Sequence, residues 1–420
     1  MGQIYYQASL TIFAAAGPDP SYGLPGVSRA RLLPDTVVHH PYAITPIPDK
    51  PQRYIQQSIW ATRGWTYQEA YLSRRRLFFT DVQLYFECAT APREEFLFYQ
   101  GLNSAPSDDC LFPRPDLNLL DKKTLFGCIV DYSRREFGFI GDRLRGFLGI
   151  LAVFATRSRY RTYHIWGVPV KLTSYGIQGT YKPLLGLFGS TPSDRSPDFP
   201  SWSWVGWSGQ ALKMDFQSED YRSLVYSVEL DKGNRTEALT STLLRRYYSF
   251  GSPPEAVPAV LRLSGMSFPI YAVKHFSPSP GCRLVLTDKE SYGVFPTDQG
   301  YLKELVEDSD WVCWQDPDGV WIYANYHLID TRFMDGQEGN RTELLGVPLV
   351  MESRLGKRLV AILRAVEGGH ETVGYLPILS ARFKTKFFQA GEDTKCEGNL
   401  IETQEAYCLG WMKLATIRWL

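Results

Sequence analysis

The stretch RGWTYQEAYLSRR, Arg63 to Arg75, sets a carboxylate, a carboxamide, an indole and guanidinium groups within one short segment. The stretch raises the question whether Glu69 is there to do chemistry or only to start a helix. The residues have a purely structural reading. Thr66 and Glu69 stand at the T-x-x-E spacing of a capping box, in which the hydroxyl accepts from the amide three residues on and the carboxylate reaches back. Such a cap contributes about 1 kcal/mol and needs no catalysis. Arg74, Arg75 and Arg76 would follow the end of the same helix, where its dipole stabilises cations. On local sequence the cap is the simpler reading.

Other chemistry is sparse. There is no G-x-G-x-x-G, no G-x-x-x-x-G-K-[ST] phosphate loop, no G-x-S-x-G elbow and no H-E-x-x-H helix. Of the 6 histidines only His39 and His40 adjoin, and neighbouring side chains on an extended chain point apart, so they read as loop residues and not as joint metal ligands. The 7 cysteines are odd in number and never form C-x-x-C, which argues against a disulfide framework or a zinc site. The cluster FPSWSWVGWSG offers indoles for stacking on a sugar. Strand alternation would instead put Trp202 and Trp204 on one face and Ser201 and Ser203 on the other, and core packing is the expected use.

The elements that would position these residues follow from periodicity. Trp65 to Ser73 fits one short helix, and RRLFFTDVQLYFEC follows as two strands around Thr80 and Asp81. The opening QIYYQASLTIFAAAG reads as the end of a helix running into a buried strand. The prolines from Pro18 to Pro51 predict an ordered but irregular loop. Residues 91 to 118, rich in Pro, Ser and Asp, read as a surface linker. In GDRLRGFLGILAVFAT the apolar residues Leu144, Phe147, Leu148, Leu151 and Phe154 lie on one helical face, predicting a single core helix over Asp142 to Thr156, with DKKTLFGCIVDYSRR packed beside it. Beyond Pro200 the pattern is short strands and turns, with Asp318-Gly319 and Gly368-Gly369 between β-type runs. The expected organisation is an α/β segment over 1–90, a linker and core helices over 91–190, and a mainly β region over 191–420.

Composition bounds the function. The chain balances 45 Lys plus Arg against 45 Asp plus Glu, so no global field draws nucleic acid, and 44% hydrophobic content predicts a folded protein. The longest apolar run, FLGILAVFA, is far short of the roughly 20 residues of a membrane span. No secretory signal opens the chain. The expectation is a cytoplasmic protein whose partner is another protein.

Four blocks in order resemble the fungal heterokaryon incompatibility (HET) domain family. They are MGQIYYQASLTIFAAAGPDPSYGLPG, RGWTYQEAYLSRRRLFFTDVQLYFEC, DYSRREFGFIGDRLRGFLGI and FPSWSWVGW. Arg63, Trp65, Gln68 and Glu69 stand at the second block's characteristic positions. The A-L-S-Y-x-W-G and C-I-x-Q blocks with which family members usually begin do not precede Met1, so the resemblance implies a domain without its first strands. It also implies a role in non-self recognition and programmed cell death. Through a distant similarity of the family to TIR domains, it implies a partial TIR-like, flavodoxin-like α/β fold. On that similarity Glu69 would be the catalytic carboxylate of an NAD hydrolase, stabilising oxocarbenium charge or orienting the ribose. Arg63, Trp65 and Gln68 would then bind NAD, a substrate and not a resident cofactor. A non-catalytic alternative makes the β-rich region a carbohydrate- or protein-binding module.

Overall fold

The computed structural model describes residues 2–33, 35–44, 46, 48–88, 92–95, 110–112, 122–157, 162–171, 182–183, 188–189, 195–209, 211–212, 221–223, 225–249, 257–273, 283–287, 292–296, 311–315, 321–325, 341–352, 357–379 and 413–420. The fold is mixed α+β. It divides into two compact units, Met1–Gly167 and Val168–Leu420.

In the first unit a helix α1 (Gly2–Gln7) leads into strand β1 (Thr11–Ala14), and an exposed hairpin follows from β2 (Val37–His39) and β3 (Tyr42–Ile44). Three helices come next, α2 (Pro51–Gln57), α3 (Ile59–Thr62) and α4 (Gly64–Leu72), then strands β4 (Arg75–Phe79), β5 (Leu84–Cys88) and β6 (Pro92–Glu94). Helices α5 (Lys122–Ser133), α6 (Asp142–Arg145) and α7 (Leu148–Arg157) and a strand β7 (Thr162–Ile165) complete it. The sheet order is β1-β4-β5-β6, with β1 parallel to β4 and the remaining pairs antiparallel. Period-two alternation sends Phe13, Phe78 and Tyr85 inward, while Ile12, on the opposite face of β1, stays exposed. The expected buried strand is therefore buried on one face only. Phe13 stacks on Phe78 at 4.8 Å between ring centroids, and Trp60 meets both edge-on, which builds an aromatic core beneath the sheet.

The proline-rich loop is pinned by polar bonds. The Tyr22 hydroxyl donates to Asp81 Oδ1 at 2.5 Å, the Leu32 amide donates to the Asp81 carbonyl, and Arg31 pairs with Glu95. The Tyr22 ring lies where a Cβ at Gly17 would be, and Gly17 has φ of 72°, so only glycine fits. Of the three arginines after α4, Arg74 and Arg75 are exposed and only Arg76 serves the helix end. Its Nη1 donates to the Ala70 carbonyl at 2.8 Å.

The predicted single helix over Asp142 to Thr156 is broken into α6 and α7 at Gly146-Phe147. Tertiary contact overrides the periodicity here. A Cβ at Gly146 would lie 2.5 Å from the Tyr132 hydroxyl, and that hydroxyl donates to the Arg143 carbonyl at 2.7 Å. Leu144, Phe147, Leu151 and Phe154 are buried as expected, but the break turns Leu148 to a half-buried position. Helix α5 packs beside them through Tyr132 on Phe147, 4.7 Å apart.

The second unit is β-rich. Its 12-stranded sheet is organised on the long strand Val260–Val273, which changes neighbours along its length. The first half pairs with Val225–Asp231 on one side and Lys413–Trp419 on the other; the second half pairs with Arg341–Glu352 and Trp311–Gln315. Strands Lys357–Val366 and Gly369–Leu379 form the expected hairpin, but its turn is Glu367-Gly368, with Gly368 at φ 83°, and Gly369 already begins the second strand. The Asp318-Gly319 turn and most of the 91–118 linker lie outside the described residues. The tryptophan segment is not a strand. Residues Trp204–Gly206 form a 3-10 turn, and Trp202, Trp204 and Trp207 are all at most 2% exposed, so the indoles belong to the core by a different geometry from the alternation expected. Trp202 Nε1 donates to the Ala259 carbonyl and Trp207 Nε1 to the Ser201 carbonyl, which satisfies both buried donors.

Candidate functional site around helix α4

Helix α4 carries all four residues singled out from the sequence, and its start is fixed from outside. The Gly64 amide donates to the Glu136 carbonyl at 2.9 Å, and the Glu136 amide to the Thr62 carbonyl at 2.7 Å. A Cβ at Gly64 would lie 1.9 Å from the Phe137 ring, so the close approach requires glycine. Two of the blocks that carry the family resemblance, 63–88 and 131–150, are thereby brought together.

The expected capping box is absent. The helix begins at Gly64 with Arg63 as its cap residue, so Thr66 sits inside the first turn. Its hydroxyl donates to the carbonyls of Trp60 and Arg63, each at 2.7 Å, and accepts from Arg135 Nη1 at 2.9 Å. The T-x-x-E spacing fits a box that would start the helix one turn later than it does. Glu69 is thereby released from the cap. Its carboxylate meets the phenol of Tyr5 on α1, and burial, the nearby carboxylate charge and a hydrogen bond to it push the Tyr5 hydroxyl up to about 12. Glu69 itself is half-buried.

The neighbouring side chains divide by task. Gln68 is 2% exposed, and its Oε1 accepts from the Gly149 amide at 2.8 Å, which satisfies a free N–H in the first turn of α7. It fixes α7 on α4. A Cβ at Gly149 would lie 2.4 Å from that oxygen and 2.9 Å from Leu72 Cδ1, while Gly2 approaches the same Leu72 atom, so α1, α4 and α7 meet at two glycines. Trp65 is half-buried with Nε1 3.4 Å from Asp142 Oδ2. Arg63 is exposed; its carbonyl accepts from Thr66 and from Arg135 Nη1.

The opposite face of α4 is a buried polar layer that sequence reasoning did not single out. Tyr67 and Tyr71 both hydrogen-bond the thiol of Cys128 on α5, which burial pushes up to about 12, so the sulfur is a neutral thiol there. The Arg135 guanidinium lies 4.7 Å from the Tyr67 ring centroid, and burial lowers it to about 10. Arg143 is 2% exposed, donates to the Ser133 carbonyl and is lowered to about 10 by burial. The signal for this layer was the run YSRREFGFIGDR, whose arginines are too many for an apolar helix pair yet fall between aromatic residues.

Chemically, α4 thus presents one half-buried carboxylate beside a phenol, with an exposed arginine at its start and its backbone held by buried bonds on both faces. Among the described residues no group of three or more His, Cys, Asp and Glu could hold a metal ion, and no helix is long and apolar enough to cross a membrane, which leaves strands unaddressed. Residues 1–69 match the family model described as heterokaryon incompatibility protein (HET), and the match runs up to Glu69. No curated protein and no solved structure matches the chain.

Proposed function

From a chain whose residues 1–69 carry the sequence of the HET family, we propose that this protein acts in heterokaryon incompatibility, as an effector of cell death after non-self recognition, and that Glu69 is the side chain on which the effect depends. The family match carries this reading. The geometry supports the choice of Glu69, because its carboxylate is freed from capping, half-buried and set beside Tyr5. Gln68 would serve by holding α7 in place, and Arg63 and Trp65 would face the molecule bound.

The finer version of the reading takes NAD as the substrate, with Glu69 stabilising positive charge on the ribose as the nicotinamide bond breaks. The crossover from β1 through helices to the parallel strand β4 is the α/β element that supports a TIR-like architecture.

Expression of the chain in a filamentous fungus, with viability, NAD level and protein abundance followed together, tests both. The expected outcome is death in cells carrying the wild type and survival with Glu69→Gln at equal abundance. Killing by Glu69→Gln would remove Glu69 from the site, and absence of killing by the wild type would remove the effector reading. A fall in NAD that precedes death supports hydrolysis; constant NAD in dying cells rejects it.

A further inference from the structure

The hairpin β2–β3 has its six strand residues exposed, yet it is apolar. Val37, Val38, Tyr42 and Ile44 are 63%, 72%, 70% and 64% exposed. Register pairs Val37 with Ile44 and His39 with Tyr42 on one face, and Val38 with Ala43 on the other. A two-stranded hairpin is at best marginally stable in water. Edge strands are ordinarily guarded by charge, but from Thr36 to Pro48 there is no Asp, Glu, Lys or Arg in a chain that is 21% charged.

We propose that this hairpin is a self-association surface, closed by the same hairpin of a second copy of the chain about a two-fold axis. The lack of formal charge leaves an acidic or basic partner nothing to recognise, and it leaves two copies nothing to repel. A short antiparallel strand is also self-complementary: the outer edge of β3 can pair with its own copy about Ala43, making a four-stranded sheet from two hairpins. In that four-stranded sheet the exposed Val37, Tyr42 and Ile44 of both copies lie on one face and line up as a single apolar patch.

Sedimentation velocity of the whole chain over a concentration series tests the proposal. The wild type is expected to dimerise, and Val38→Lys with Ile44→Lys is expected to sediment as a monomer with an unmoved unfolding temperature, because both positions are exposed. An independent variant, Ala43→Cys, is expected to give a covalent dimer on oxidation, above any formed by the wild type, and decides the matter if the lysine variant misfolds. A wild type that stays monomeric, including one that floats with neutral lipid vesicles instead, overturns the proposal. So does a dimer that the lysine pair leaves intact while Ala43→Cys fails to cross-link.

Discussion

Each unit holds an arginine–carboxylate cluster, and the two clusters solve the problem of a buried charge differently. In the first unit, Arg76 Nη2 lies 3.5 Å from Glu87 Oε1 with both side chains at most 1% exposed. In the second, Asp231 Oδ2 accepts from Arg262 at 3.0 Å and from Arg418 at 2.9 Å; the carboxylate is 1% exposed, but the arginines are 42% and 38% exposed. Gly233 donates a further backbone bond to Oδ1. The second cluster keeps its cations in water while the carboxylate collects bonds, and the bond from Arg418 leads in holding Asp231 down at about 2. The first cluster is dry, and burial draws Arg76 below its ordinary value against the pull of Glu87. Desolvation in such a pair offsets most of the attraction, so its presence reflects geometry: Arg76 ties the end of α4 to the sheet.

The largest expected effect breaks the dry pair. Arg76→Met should destabilise the first unit by about 3–5 kcal/mol, because it removes the guanidinium that offsets the buried Glu87 charge. Adding Glu87→Leu should restore most of the loss, as measured by hydrogen exchange on peptides of residues 64–88; a double variant as unstable as the single one would show that the pair itself holds the fold. Next in size is Asp231→Asn, expected to cost about 1.5–3 kcal/mol where the strands Val225–Asp231 and Lys413–Trp419 flank Val260–Val273, since asparagine keeps the Gly233 bond on Oδ1 but sets an amide donor against the two guanidinium donors and so loses both arginine bonds. The smallest effect is in acid. Because the Asp231 carboxyl is lowered from 3.8 to about 2, its contribution is complete above about pH 4 and lost as the pH falls towards 2, so the wild-type advantage over Asp231→Asn should shrink through that window.

Periodicity made α4, the β4–β5 hairpin, the inward residues of α7 and the β-rich second unit legible, because local pattern and burial agree there. It failed where a distant group decides. The break at Gly146 depends on Tyr132, and the true start of α4 depends on the backbone of Glu136, neither of which a local window contains. The site was legible as a set of residues but not as a division of labour. Gln68 and Glu69 are neighbours of similar polarity, and only the placement of α7 and α1 shows that one is spent on an amide while the other faces a phenol.

The strand Val260–Val273 carries a consequence for synthesis on the ribosome. One flank of its first half meets Val225–Asp231, already made, but the other waits for Lys413–Trp419, roughly 150 residues later in the chain. At about 5–20 residues per second that flank stays open for on the order of ten to thirty seconds, displaying unpaired amides and carbonyls along residues such as Leu261 and Leu263. Throughout that interval the nascent second unit exposes an edge open to pairing with other chains, while the first unit can close its sheet as soon as β6 has cleared the exit tunnel.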